Sequence, residues 1–114
     1  MVGSPNPVRY VYGKGPVRET LEQALRRRKL AFDAIAIGGS SDHAPFEDAG
    51  ISVGGVYSGS EERKTARQAG AYGGRAGRPL DACYHRRCDT LDRVDEKVLA
   101  ELADIAGGAL VAIG

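Results

Sequence analysis

Tryptophan is absent from this sequence and phenylalanine occurs twice, so large aromatic rings cannot supply most of a core. Leucine, isoleucine, valine and alanine must fill it instead. Charge of either sign is not in excess: 16 basic and 15 acidic side chains leave a formal net charge of +1. That balance gives no footprint for a nucleic-acid or anionic-membrane partner. No apolar run approaches the roughly 20 residues of a membrane-spanning helix. Met1 to Lys14 lacks the basic-then-apolar pattern of a signal peptide. Histidine and cysteine are scarce, two of each. Imidazole and thiolate chemistry is therefore confined to His43, His85, Cys83 and Cys88.

What is abundant is glycine, with 16 residues, which implies many tight turns. There is no internal repeat, low-complexity tract or linker, and residues 1–114 read as a single domain of common size. The turn sequence Ser4-Pro5-Asn6-Pro7 precedes a short strand, Val8 to Tyr12, and its two prolines keep the turn out of any ladder. Pro16 to Leu30 reads as a helix. Leu21, Ala24, Leu25 and Arg28 share one face, Pro16 suits the first turn, and Glu19 and Glu22 lie toward the positive end. The run Arg26 to Lys29 ends that helix and reads as a solvated, dipole-complementing terminus, not an anion site. Phe32 to Ile37 is an apolar run of the kind buried on both faces of a parallel sheet. Ile51 to Tyr57 is the next strand, and a short helix is expected within Arg63 to Ala69. Asp95 caps a last helix reaching about Val111, with the stripe Val98, Leu102, Ile105 and Ala109. The class is α/β. Three strands make a thin sheet, and the domain looks incomplete.

The chemistry concentrates in Asp81 to Leu91, where the two cysteines bracket Tyr84 and His85 at a separation of five. A histidine in a short closed loop has the rigidity that metal ligation rewards. The loop is either a disulfide-stapled catalytic loop or part of a Cys2His2 zinc site with His43. A disulfide closing so short a loop contributes roughly 2 kcal/mol on the loop-entropy account. Against zinc stands the spacing Cys-x-His-x-x-Cys, which is not a common knuckle. His43 also reads as a helix-entry residue, with Asp42 as cap and Pro45 at an early position. Tyr84 reads equally as a packing aromatic. Residue types alone leave these alternatives open.

Four segments carry a resemblance, in order and at plausible separations: Met1 to Asn6, Ser41 to Ile51, Gly54 to Gly59, and Cys83-Tyr84-His85 through Cys88 to Leu91. Together the chain resembles the C-terminal part of the secreted bacterial zinc aminopeptidases of metallopeptidase family 28. The resemblance implies a mixed, mostly parallel sheet sandwiched by helices. It also implies removal of N-terminal, often bulky apolar residues from peptide substrates by two zinc ions. By that resemblance His85 is the last zinc ligand and Tyr84 donates its hydroxyl to the tetrahedral oxyanion. Cys83 and Cys88 pair as a disulfide, Tyr57 and Met1 wall the substrate pocket, and Asp42 and His43 are supports. Family calcium ligands fall at Ala100 and Asp104, which puts calcium in doubt, and Ser40 stands where a basic residue often precedes Ser-Asp-His. The other four zinc ligands and the general base would precede Met1 in a missing N-terminal half. The expectation is a portion of a secreted hydrolase that is inactive alone. The rival from another class is a non-catalytic, disulfide-stapled α/β binding module.

Overall fold

Two helices packed on one face of a small mixed sheet place the rest of the chain. The computed structural model describes residues 1–114, and its elements follow directly from the apolar periodicities. Strand β1 is Tyr10–Lys14, helix α1 Gly15–Arg27 and strand β2 Asp33–Ala34. Helix α2 is Ala44–Asp48, strand β3 Val53–Tyr57, helix α3 Ala66–Tyr72 and helix α4 Glu96–Ile113. A 3₁₀ turn at Leu91–Arg93 leads into α4. The strand order is β2-β1-β3. β1 and β2 pair in parallel, and β1 and β3 antiparallel with Tyr10 opposite Tyr57 and Val11 opposite Val56.

The pleat sends Val11 to the helix side and Tyr10 to the other, because successive side chains alternate. Val11 packs with Leu21, Ala24 and Leu25 of α1 and Ile105 and Ala109 of α4. The stripe expected on α4 is the buried one: Val98, Leu102, Ile105 and Ala109. Asp95 caps α4 by accepting from the Val98 amide at 3.1 Å. Arg9 ties the sheet to the same helix through Glu101 at 2.7 Å. On the opposite face Val8, Tyr10 and Leu80 form a second cluster, flanked by Ile35, Tyr57 and Tyr72.

Several sequence expectations shift. The first strand lies two residues later than Val8 to Tyr12. Helix α1 stops at Arg27, short of Leu30, because Lys29 takes a left-handed conformation (φ 56°). The Leu30 amide then bonds back to the Leu25 carbonyl at 3.1 Å, a Schellman-type ending. Arg26 and Arg28 are exposed and ion-paired with Glu22 and Asp104, a solvated end as read. Phe32 to Ile37 is not buried on both faces. Its ladder covers Asp33 and Ala34 alone, at a sheet edge, with Ala34 and Ala36 exposed. Asp42 does not cap α2; His43 is the N-cap and makes no capping bond. Helix α3 begins later than Arg63, at the residue following Thr65, where Thr65 and Gln68 form a capping box. No helix is long and apolar enough to cross a membrane.

Core position should dominate stability. Leu102 is fully buried while Leu110, on the same helix, is 72% exposed. Leu102→Ala should cost about 2–5 kcal/mol in a denaturant titration. Leu110→Ala should stay within about 0.5 kcal/mol. Equal losses would mean that α4 does not pack as described.

Candidate active site

The site is assembled by loops hung from the ends of β1 and β3. After Tyr57 the chain enters Ser58 and Gly59, both buried. The Ser58 hydroxyl lies 2.8 Å from that of Ser4 and accepts from the Ser4 amide at 3.1 Å. The Ser4 hydroxyl reaches the Gly59 carbonyl, and the Ser58 amide donates to the Met1 carbonyl at 2.9 Å. Gly59 has φ 103°, and a Cβ there would meet the Leu80 side chain. Only glycine suits both demands.

From this clamp Ser60 to Lys64 runs back along Gly77 to Asp81. The Leu80 amide donates to Glu62, Asp81 to Ser60, and Lys64 to Arg78. Asn6 stitches the far side, donating from Nδ2 to the Arg75 carbonyl at 3.1 Å and accepting the Arg75 amide at 3.0 Å. Lys64 is fully buried, its ammonium donating to the Gly73 carbonyl at 2.8 Å. Burial lowers its pKa from the ordinary lysine value. Buried Asp81 then accepts the Cys83 amide at 2.9 Å and launches the loop that carries Tyr84 and His85.

Cys83 and Cys88 are disulfide-bonded, with Cα atoms 5.3 Å apart. That removes both thiolates from the Cys2His2 alternative, and no three His, Cys, Asp or Glu side chains converge on one point. His85 is exposed and sits in the left-handed region at φ 56°. Such a conformation in a non-glycine residue persists where the surroundings over-determine it. The tight disulfide loop does that here. The His85 ring lies 3.9 Å, centroid to centroid, from that of Tyr84. An exposed imidazole on a stapled loop fits the role of one metal ligand; the donor set of a complete site is not present among these residues.

Tyr84 opens onto a cleft of about 350 Å³ whose lining includes Met1, Tyr12, Ile37 and Tyr57. Tyr57 is anchored from beneath by stacking on Tyr10, centroids 5.8 Å apart. Its hydroxyl donates to Ser60 at 2.5 Å. Burial pushes that hydroxyl up to about 12, with nearby Glu62 adding to the effect against the Ser60 bond. Tyr12 lies across Gly55, where a Cβ would collide with its ring. Its pKa is raised by burial and by the charge of Asp42. His43 does not line this cleft. It packs on the Tyr12 ring at 5.2 Å, with Nε2 3.7 Å from Glu47 and Nδ1 buried without a partner. Asp42 is exposed.

The structure thus brings Met1, Tyr57 and Tyr84 to one cleft and leaves His43 behind Tyr12. The lining residues missed from sequence include Tyr12, Ser60 and Glu62. Tyr12 falls on a strand whose register was not known, and the Ser60 to Glu62 stretch carries no apolar pattern. For Ser60 and Glu62 the relevant signal was proximity to Tyr57 along the chain.

Comparison with known proteins identifies the family. The profile of peptidase family M28 matches residues 1–110. The leupeptin-inactivating enzyme 1 of Streptomyces exfoliatus is 39% identical over 116 residues, covering 100% of this chain and 26% of that protein. An aminopeptidase of Pseudomonas aeruginosa is 33% identical over 112 residues, covering 87% of this chain and 21% of its own length. Leucine aminopeptidase 2 of Arthroderma otae is 29% identical over 109 residues, with 84% and 22% covered. The chain therefore spans about a quarter or less of the length of these curated relatives. With the family profile extending over nearly every residue described, the chain belongs to peptidase family M28.

Proposed function

We propose that this chain is the C-terminal part of a secreted zinc aminopeptidase that removes N-terminal residues, the first side chain lying along an apolar-walled pocket. The observation that carries the reading is Tyr84, next to exposed His85 on the stapled loop, lining one cleft with Met1 and Tyr57. The relatives named as aminopeptidases support the reaction class, and their greater length supports a larger whole.

Each side chain has a task in this reading. His85 holds a zinc ion through one imidazole nitrogen, and the remaining ligands and a carboxylate base come from outside these 114 residues. The chemistry that bound zinc supplies is activation of a water and polarisation of the scissile carbonyl. Tyr84 donates its hydroxyl to the carbonyl oxygen as negative charge develops there, a preorganised contact strongest in the transition state. Tyr57 and Met1 wall the pocket for the first side chain, and the Tyr10 stack keeps Tyr57 from yielding. His43 and Asp42 act through Tyr12, against which one packs and near which the other holds its charge. The disulfide holds the loop so that Tyr84 keeps its place in the cleft wall with His85 beside it.

The 114 residues alone, supplied with zinc, should not hydrolyse leucine nitroanilide, because one imidazole cannot hold a co-catalytic pair. Turnover by the isolated chain that vanishes in His85→Ala would overturn the ligand assignment.

In the protein containing the remaining ligands, Tyr84 and His85 should fail differently. His85→Ala should lose both zinc content and rate, by at least the 10–100-fold typical of losing a mere outer partner. Tyr84→Phe keeps ring and packing, so zinc content should hold while kcat falls about 10²–10³-fold. Metal analysis with steady-state kinetics reads both. Full turnover in Tyr84→Phe would return Tyr84 to a packing role. No turnover and no His85-dependent zinc in the complete protein would favour the non-catalytic binding module.

A further inference from the structure

Glu62 is a carboxylate without a cation. Its oxygens accept from the Ser60 amide at 2.7 Å and the Ser60 hydroxyl at 3.2 Å, and the Tyr57 hydroxyl, which donates to Ser60, lies 3.2 Å away. None of the chain's ion pairs includes it. Burial pushes its carboxyl up, but the hydrogen bonds from Ser60, with the Tyr57 hydroxyl close by, outweigh burial and the net displacement is downward. It is ionised at neutral pH. The backbone on either side is also fixed, since the Glu62 carbonyl accepts the Leu80 amide at 2.8 Å. The charge is therefore held in place before any ligand arrives, which removes part of the ordering cost of binding.

This charge faces the cleft shared by Met1, Tyr57 and Tyr84, whose lining contains no lysine, arginine or histidine and no second carboxylate. The other walls include Tyr12, Ile35, Ala36, Ile37 and Val56, apolar surface for several methylenes, with Ser40 and Ser41 beside them. An apolar wall ending in an unpaired anion matches a side chain with an aliphatic stem and a cationic head.

Building on the aminopeptidase reading, we propose that this cleft selects substrates whose first residue is lysine or arginine, and that Glu62 sets the preference. The stem lies along Ile37, Val56 and Tyr57 and the cationic head meets the Glu62 carboxylate. A neutral side chain of equal length fills the same walls but leaves the anion without a partner. An acidic side chain meets like charge and is rejected.

The test compares kcat/KM for lysine and norleucine nitroanilides, equal in stem length, in the active enzyme and its Glu62→Gln variant. Glutamine keeps an oxygen for the Ser60 amide and removes the charge. The lysine-to-norleucine ratio should fall about two- to fivefold, the scale of a partly exposed ion pair. An unchanged ratio overturns the proposal, including the case where both substrates lose equally because Glu62 holds the α-amine common to them. If the parent enzyme cleaves neither substrate, the aminopeptidase reading itself fails. A separate binding readout stands apart from that outcome. Titrating the isotopically labelled 114-residue chain with lysinamide should shift the Ser60 and Tyr57 amides. Norleucinamide should shift them less, and the difference should disappear in Glu62→Gln. Equal shifts for the two amides in the parent chain also overturn the proposal.

Discussion

Two fully buried serines hold the site together. Ser4 and Ser58 exchange a hydroxyl contact at 2.8 Å and between them engage the Ser4 amide and the Met1 and Gly59 carbonyls. Each such bond contributes modestly when made, but a buried donor or acceptor left without its partner costs about 1–3 kcal/mol. The cluster therefore works as one unit that tolerates no missing member. It joins the first residues of the chain to the end of β3. It also sets Gly59 against Leu80, and through Leu80 and Asp81 it sets where the disulfide loop begins. Fold and site meet at this point: the residues that close the loop's base are also those that bring Met1 beside Tyr57.

The rigidity of the cleft has the same origin. Tyr57 stacks on Tyr10, and the Tyr10 hydroxyl accepts a hydrogen bond from the side-chain Nε2 of Gln68 in α3 at 2.9 Å. Gln68 in turn belongs to the capping box that starts α3, and Asp33 draws in both Gln68 and Arg67. Polar groups so connected have few alternative arrangements. One wall of the cleft is thus built on a hydrogen-bonded layer beneath the sheet, while the other face of the sheet rests on the aliphatic core of α1 and α4.

Those two helices were legible in the sequence because a repeat of 3.6 residues survives any tertiary context. The Leu21-Ala24-Leu25 and Val98-Leu102-Ile105-Ala109 stripes are the buried ones. The apolar run Phe32 to Ile37 misled for the opposite reason. A continuous apolar stretch does not distinguish a central strand from an edge one, and here it is an edge. Apart from its one short helix, segment 61–80 was opaque, since backbone ladder bonds, the Asn6 side chain and one buried lysine hold it, none of which leaves a periodic signature. The cysteine spacing admitted two chemistries, and the fold contains the disulfide. Glu62 went unseen because its meaning depends on Tyr57 and Ser60 turning toward it. The tasks of Tyr84, His85, Tyr57 and Met1 came from motif resemblance. The structure adds that Met1, Tyr57 and Tyr84 share a cleft.

The central claim is that the stapled loop presents His85 to a metal at the mouth of that cleft. Anomalous scattering at the zinc absorption edge, from crystals of the complete protein grown with zinc, tests it most directly. The account predicts a zinc peak about 2.0–2.1 Å from a His85 imidazole nitrogen, with the Tyr84 hydroxyl turned toward the same space. A zinc peak held by His43 and Glu47, with His85 free in solvent, would contradict it.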